Sequence, residues 1–288
     1  RLMNWFASHG LKCFRSEIGM AESIHSTAIV DPGAHLGRDV SIGPYAIVEA
    51  GVSLGDGCSL ESHSVLKKST ILGKSVQVGH FSVVGGDPQQ LSFDPSTPSG
   101  VEIGDGTRLG EGVTVHRSMY EDGITSVGKK CFLMGYSHVA HDCKIGDHTV
   151  LANAALLGGH VLVGNHAFVG GGAGLHQFTR VGEGAMIGGL AEVSADVPPQ
   201  VTVTGRNRAC GLNLIGLQRR EASKEEIREL KDCYRAILMK KGNPTKLAQK
   251  ILDDCSSPQT ELCLSFVKFF IEGDRGFAKS RSSQKDSS

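Results

Sequence analysis

An aliphatic residue recurs at every sixth position along most of this chain. From Ile24 through Val84, eleven successive positions at this spacing hold Ile, Leu or Val, and twelve more run from Val127 through Val193. The fifth position of each complete hexad in the first run holds a small residue. Chance does not produce such a run. The pattern predicts a parallel β-helix of short strands and tight turns, in which each hexad forms one side and its aliphatic residue points inward.

Three hexads close one triangular coil, so residues 18 apart are expected to stack on the same face. Gly or Asn supplies the backbone freedom that the turns require. The repeat resembles that of the hexapeptide-repeat family, whose β-helix is a left-handed triangular prism. The handedness is implied by this resemblance and does not follow from the spacing. The predicted fold class is therefore mainly β, a left-handed parallel β-helix.

The repeat is interrupted twice, over 85–100 and 117–126, and loops that leave a solenoid usually carry function. After about residue 205 the hexads end, and Ser223 and Glu226 have the spacing of a capping box at the start of an amphipathic helix. Further helices are predicted over 244–254 and 258–272, which makes a C-terminal α-helical domain. The expected organisation is an N-terminal extension over 1–23, the β-helix over 24–205, the helical domain over 206–278 and a disordered tail over 279–288.

Composition narrows the possible partners and the compartment. Lys and Arg total 30 and balance 30 Asp and Glu, so no basic field indicates a nucleic-acid partner. The longest apolar runs are too short for a transmembrane segment. Eight cysteines without a C-x-x-C pair indicate reduced, mostly buried thiols, and no disulfide framework.

The N-terminal segment is basic and contains no acid before Glu17. The chain begins at Arg1, without an initiator Met, and we expect it to be truncated. Such a segment is typical of a transit-peptide remnant, although a short frayed extension has the same composition. The first interpretation predicts a mitochondrial protein and the second a cytoplasmic one.

The stretch LMGYSHVAHDCKIG, residues 133–146, gathers histidines and an aspartate. His141 is third in its hexad, and the hexads 18 and 36 residues later hold Gly159 with His160 and His176 with Gln177. All three hexads are expected on one prism face, about 5 Å apart from coil to coil. We expect His138 at the preceding corner, and His116 nearby if the second loop preserves the stacking.

Three interpretations of these histidines remain open from the residues alone. Stacked polar residues in a β-helix can form ladders with only a structural role. Zinc would need three or four converging ligands, which could come from adjacent subunits, as in carbonic anhydrases of the hexapeptide type. A neutral imidazole oriented by Asp142 could instead act as general base in acyl transfer, with the N–H of Gly159 as oxyanion donor.

Several segments narrow the resemblance to one family. The stretches HVAHDC, LANAALLGGHV, GLHQFTRVG, DVPP and GLNLIGLQRR are similar to those of the UDP-N-acetylglucosamine O-acyltransferases of lipid A biosynthesis, and the similarity runs from about residue 24 to 278. The resemblance implies transfer of an (R)-3-hydroxyacyl group from acyl carrier protein to the 3-hydroxyl of UDP-N-acetylglucosamine, the first step of that pathway. It also implies a homotrimer with sites between subunits, and neither a metal nor a cofactor besides the carrier thioester.

The resemblance also implies residue roles. His141 matches the general base, Asp142 its partner and Gly159 the oxyanion donor, while Gly189 matches the position that measures acyl-chain length. Substrate-binding roles fall on nine further residues: Gln89, His116, His138, His160, His176, Gln177, Asn213, Arg219 and Arg220. Of these, Asn213, Arg219 and Arg220 match residues that hold the nucleotide.

This chain departs from the family pattern at four positions, Gln90, Ser92, Ile215 and Gln218, which concern sugar, nucleotide or carrier contacts. Arg117, Arg180, Arg206 and Arg208 are candidates for receiving the acidic carrier protein. Other classes remain. An N-acylating sister enzyme needs an N-terminal uridine-binding domain, for which the residues before Ile24 are too few. A zinc anhydrase has no use for Arg219 and Arg220, and a non-catalytic scaffold would be indifferent to loss of His141.

Overall fold

Strands of mostly two residues stack into three sheets, and each sheet is one face of a triangular prism. The computed structural model describes residues 23–254, 258–273 and 275–280. Until the last coil, neighbouring strands of a face are parallel and 18 residues apart where no loop intervenes, as in the pairing of Ile42 with Leu60. The predicted left-handed parallel β-helix is thereby confirmed.

We name the three sheets face A, face B and face C. Face A contains Ser23–Ile24, Ser41–Ile42, Ser59–Leu60, Gln77–Val78, Arg108–Leu109, Phe132–Leu133, Val150–Leu151, Phe168–Val169, Met186–Ile187, Val201–Thr204, Arg208–Leu212 and Lys279–Ser280. Face B contains Ile29–Val30, Ile47–Val48, Val65–Leu66, Val83–Gly86, Thr114–His116, His138–Val139, Leu156–Leu157, Gly174–Leu175 and Glu192–Val193. Face C contains His35–Leu36, Ser53–Leu54, Thr70–Leu72, Gly100–Ile103, Ile124–Val127, Lys144–Ile145, Leu162–Val163 and Arg180–Val181.

The core is the column of inward aliphatic residues that the hexads predict. Every sixth residue from Ile42 through Val84 and from Val127 through Val193 is buried. The small fifth residues from Val40 through Ser82 are buried too, and Cys58, Ser64 and Thr70 are fully inaccessible. Each coil therefore covers the apolar residues of the next, and burying one such side chain is worth about 1.5–3 kcal/mol.

The turns between faces use left-handed backbone at their second residue. Gly51 and Gly57 have positive φ as predicted, but Tyr45, His63 and Asp142 adopt the same conformation without being glycine. The prediction that Gly or Asn supplies this freedom is therefore only partly correct. Backbone hydrogen bonds to the neighbouring coils hold these turns in place. They offset the cost of a left-handed conformation at a residue that has a side chain.

Among the residues that the structure describes, four α-helices follow the prism. They are α1 (Leu214–Arg219), α2 (Lys224–Tyr234), α3 (Pro244–Asp253) and α4 (Glu261–Phe269). The capping box of α2 is present, with Ser223 accepting from the Glu226 N–H and Glu226 accepting from the Ser223 N–H. α2 continues as a π-helix over Arg235–Met239, which the sequence pattern did not predict.

The two edges of the helical domain differ from expectation. The domain was expected to be helical from residue 206, but Arg208–Leu212 forms an antiparallel strand on Val201–Thr204, because this segment closes the last coil of face A. Lys279–Ser280, placed at the start of the disordered tail, pairs with that strand through backbone hydrogen bonds. The rest of that tail and residues 1–22 lie outside the described residues.

Two predicted absences can be compared with the described residues. Within them, no helix is long and apolar enough to cross a membrane. The six cysteines among them are free thiols, and five of the six are buried.

Candidate active site

His141 and Asp142 form the turn between the face B strand His138–Val139 and the face C strand Lys144–Ile145. They therefore lie at a corner of the prism, which we call the B–C corner, and not on a flat face as expected. Asp142 adopts a left-handed conformation with φ of 61°. This backbone conformation is sparsely populated for residues other than glycine, and it turns the carboxylate back toward the ring of His141.

His141 and Asp142 form a close pair in which the Nδ1 of His141 lies 2.8 Å from Oδ2 of Asp142. Both side chains are largely buried, with 14% and 10% of their surface exposed. A carboxylate can only accept a hydrogen bond, so the pair places the proton on Nδ1 and leaves Nε2 as an acceptor. This is the tautomer that a general base requires.

Gly159 stacks on His141 one coil later. A β-carbon built on Gly159 would lie 2.6 Å from Cε1 and 2.7 Å from Nε2 of His141. Such contacts are too short, so only glycine lets the imidazole lie against this backbone. Within the described residues, no group accepts a hydrogen bond from the Gly159 N–H. The N–H is therefore available, beside Nε2, for an oxygen that gains negative charge.

The other two histidines of the three hexads share the corner but not one register. His160 stacks over Asp142 and under Phe178, with ring centroids of His160 and Phe178 4.4 Å apart. His176 is second in its hexad, one position before that of His141 and two before that of His160, and it is exposed. The single column of imidazoles that the 18-residue spacing predicted is thus a staggered cluster, because the three histidines occupy three successive turn positions.

His138 and His116 lie on face B, one coil apart. His138 was expected at a corner but belongs to a strand, where its Nδ1 lies 2.7 Å from the hydroxyl of Thr114. The rings of His116 and His138 meet edge to face at 4.8 Å. Burial lowers the pKa of His116 to about 4, and it is also the main cause that lowers the pKa of His138. Burial lowers the pKa of His160 as well, so burial favours the neutral form of all three rings.

An open groove of about 790 Å³ runs along face B beside this corner. It brings together six of the predicted site residues: Gln89, His138, His141, Gly159, His176 and Gln177. Leu156, Gly174 and Glu192 also line it, and the sequence analysis did not single these out. A second groove of about 910 Å³ lies on face C, where it is lined by Asp142, Lys144, Phe178 and Arg180 among others. The His141–Asp142 pair therefore separates two grooves.

Four predicted residues are not brought to this corner within one chain. Asn213 caps α1 and donates to the carbonyl of Gly184, which lies in a turn between face C and face A. Arg219 ends α1 and Arg220 follows it, hydrogen bonded to Gln200. Burial lowers the pKa of Arg220. Gly189 lies in a turn between face A and face B.

Arg117 cannot receive a carrier protein, because it is 1% exposed. Its guanidinium donates to Asp87, to Ser99 and to the carbonyls of Pro95 and Thr97, and it lies over the ring of Phe93. Arg117 therefore joins the two loops that interrupt the hexads. Of the other candidate arginines, Arg180 pairs with Asp196, while Arg206 pairs with Glu192 at the surface.

Asp142 is held by groups that no sequence pattern indicated. Ser118 donates to Oδ1 of Asp142, and the N–H of Met119 donates to Oδ2. Thr125 accepts from the backbone N–H of Asp142. Ser118 and Met119 lie in the second loop, and Thr125 lies in the face C strand Ile124–Val127 just before the hexad register resumes at Val127, so spacing could not place them. The only available signal was that this loop leaves the solenoid near the histidines.

The zinc interpretation has a possible ligand set here. Ligand atoms of His141, Asp142 and His160 lie within 4.8 Å of one another. However, both oxygens of Asp142 already accept hydrogen bonds from the second loop or from His141. Asp142 therefore accepts three hydrogen bonds, which fix its carboxylate against Nδ1 of His141 as the partner of a general base is fixed.

A hexapeptide prism with an oriented histidine at its corner is the architecture of a hexapeptide-repeat acyltransferase. The family model described as bacterial transferase hexapeptide (six repeats) matches residues 33–68 and 124–159. A second model, described as domain 2 of UDP-N-acetylglucosamine O-acyltransferase, matches residues 196–278.

Relatives of known name extend the match over most of the chain. The acyl-[acyl-carrier-protein]–UDP-N-acetylglucosamine O-acyltransferase of Campylobacter jejuni is 44% identical over 88% of this chain and 96% of its own. The enzyme of the same name from Campylobacter lari is 39% identical over 88% and 95%. The solved structure of the Francisella novicida UDP-N-acetylglucosamine acyltransferase covers 90% of this chain and 95% of its own, with 32% identity and a TM-score of 0.86. The chain belongs to the UDP-N-acetylglucosamine O-acyltransferase family.

Proposed function

We propose that this chain transfers an (R)-3-hydroxyacyl group from acyl carrier protein to the 3-hydroxyl of UDP-N-acetylglucosamine, the first step of lipid A biosynthesis. Its named relatives support the two substrates. The observation that carries the chemistry is the His141–Asp142 pair at 2.8 Å, with Gly159 packed against the same imidazole.

The proposed mechanism uses this chain's groups in one order. Nε2 of His141 removes the proton of the sugar hydroxyl as its oxygen attacks the thioester carbonyl. Asp142 keeps the other ring proton on Nδ1 and stabilises the imidazolium that forms. The N–H of Gly159 donates to the tetrahedral oxyanion. Collapse of the intermediate expels the carrier thiolate, which takes the proton from His141, so the histidine returns to its neutral form.

We propose that the complete site is built between subunits of a homotrimer. Within one chain, the B–C corner holds His141, while Asn213 and Arg220 lie at the corner between faces C and A. A triangular prism keeps its corners apart, so a substrate held by both sets needs two chains. Guanidinium groups suit the diphosphate of the nucleotide.

The direct test is an acyl-transfer assay with purified protein, 3-hydroxymyristoyl-acyl carrier protein and UDP-N-acetylglucosamine. We expect a product carrying an ester on the 3-oxygen, identified by mass spectrometry and NMR, and unchanged activity after dialysis against a chelator. No transfer at any acyl-chain length, together with stoichiometric bound zinc, would support an anhydrase instead. If the protein neither transfers the acyl group nor binds metal, the result would support a non-catalytic scaffold.

We also propose a mitochondrial location, supported by the basic, acid-poor segment before Glu17. The test is to fuse residues 1–23, preceded by a start codon, to a fluorescent reporter. A mitochondrial signal is expected, and diffuse cytosolic fluorescence would contradict the proposal.

A further inference from the structure

The carboxylate of Asp142 has a fixed set of donors on each of its oxygens. Oδ1 accepts from the hydroxyl of Ser118 at 2.5 Å. Oδ2 accepts from Nδ1 of His141 at 2.8 Å and from the N–H of Met119 at 3.3 Å. The Nε2 of His160 lies 3.9 Å from Oδ2. A rotation of the carboxylate would therefore let His160 compete with His141 for this oxygen.

The hydroxyl of Ser118 can point in only one direction. Its oxygen accepts from the N–H of Tyr120 at 3.0 Å, so its single hydrogen is left for Asp142. The side chain is fully buried and packs against Gly123, where a β-carbon would collide with it. The rotamer of Ser118 is therefore held by packing on one side and by hydrogen bonds on the other.

The backbone around Ser118 is fixed by the first loop. The hydroxyl of Ser99 donates to the carbonyl of Ser118 at 2.6 Å. The neighbouring Arg117 is buried among groups of the same loop, with its Nε 2.8 Å from Asp87. Both interruptions of the hexad repeat thus contribute to the position of one hydroxyl group.

We propose that Ser118 is a positioning residue for the acyl-transfer reaction, holding Asp142 in the orientation that supports His141. This inference rests on the proposed function of the B–C corner. The Ser118 hydrogen bond keeps Oδ1 turned away from the imidazole, so that Oδ2 remains directed at Nδ1. It also withdraws negative charge from the carboxylate, which moderates the attraction between Asp142 and the imidazolium.

The test uses Ser118→Ala in the full chain. Losing one hydrogen bond to a charged group predicts a fall in kcat of about 10- to 100-fold, with little change in KM for UDP-N-acetylglucosamine. The acid limb of the pH profile of kcat/KM should move to higher pH, by about half a unit to one unit, because the less neutralised carboxylate favours the imidazolium. The titratable groups beside the pair are His116, His138 and His160, with Tyr120 against His160. Lys144 lies in the groove that Asp142 lines, and His176 and Glu192 lie in the groove that His141 lines. All of them remain in the variant.

Two comparisons separate positioning from general damage. Ser64 is a matched control, because it is also fully buried and its hydroxyl also donates one hydrogen bond, to the carbonyl of Glu61, far from the site. Ser64→Ala should lower stability without changing kcat or the pH limb. In an Asp142→Asn background, Ser118→Ala should have little further effect on kcat, because its action passes through the carboxylate.

The outcomes distinguish this inference from the proposed function. If the wild type transfers the acyl group and Ser118→Ala leaves kcat and the acid limb unchanged, the inference is overturned and the proposed function stands. The same follows if Ser118→Ala lowers kcat as much in the Asp142→Asn background as in the wild type. If Ser118→Ala does not fold, Ser118→Cys keeps a side chain at this position with a weaker donor and should show the same shift of the limb. Absence of transfer by the wild type would instead contradict the proposed function.

Discussion

At the scale of single residues, the site depends on a glycine as much as on its histidine. Gly159 faces the imidazole of His141 so closely that a β-carbon would overlap Cε1 and Nε2. We expect Gly159→Ala to reduce kcat by at least about 100-fold, since it displaces the base and the neighbouring oxyanion donor together. Steady-state kinetics of acyl transfer measure this change.

The matched control for Gly159→Ala is Gly174→Ala. Gly174 lines the same groove one coil later, but a β-carbon there meets nothing within 4 Å. This control should retain most of the activity. An equal loss in both variants would mean that the groove, and not the contact with His141, determines the effect.

Gly189 is the second glycine with a proposed role. A β-carbon there would meet only the carbonyl of Gly171, at 3.4 Å, so the space beside this turn is open. Under the proposed function, Gly189→Met should fill it and shift preference toward shorter acyl donors. Competition between carrier proteins with long and short 3-hydroxyacyl chains measures this, and unchanged selectivity would refute the assignment.

At the scale of elements, the start of α2 was readable from the sequence because its signal is local. The capping box needs only Ser223 and Glu226 at the right spacing, and both of its hydrogen bonds are present. Ser223→Ala should lower the free energy of unfolding by about 1 kcal/mol, as loss of a helix N-cap does. Urea unfolding monitored by circular dichroism measures it. Glu225→Ala, one residue away and outside the box, should cost less; equal costs would contradict the capping role.

Elements whose form depends on tertiary contacts were not predictable in the same way. The π-helix at Arg235–Met239 and the strand at Arg208–Leu212 follow from how the helical domain closes the last coil. Left-handed turns at Tyr45 and His63 follow from stacking of coils and not from residue preference. Ser118 lies in a loop that breaks the hexad register, so the spacing gave no prediction of the residues that it contacts.

At the scale of the whole molecule, the prism was predictable because an inward aliphatic residue recurs at every sixth position. The corners of the prism follow from the same spacing. The proposed assembly was not predictable in this way. His141 and Arg220 lie at different corners of one chain, and the hexad repeat does not show which chains meet. If sites are composite, inactive His141→Ala chains and inactive Arg220→Ala chains should complement each other when co-assembled.

Random mixing would restore about a quarter of all sites, and each trimer that contains both variants would hold one restored site of its three. Activity of mixed trimers, prepared by co-expression with two different tags and purified on both, measures this. Mixed assemblies as inactive as the separate variants would contradict a site shared between the two corners.

Above all, we propose that His141 is the base of an acyl transfer. The measurement that tests it most directly is kcat/KM for transfer from 3-hydroxymyristoyl-acyl carrier protein to UDP-N-acetylglucosamine, in wild type, His141→Ala and His63→Ala. His63 stacks between Tyr45 and Phe81 at the corner between faces A and B, with ring centroids 5.1 Å from each, and serves as the matched histidine. We predict a loss of about 10²- to 10⁴-fold for His141→Ala alone. Comparable activity of wild type and His141→Ala would contradict the account.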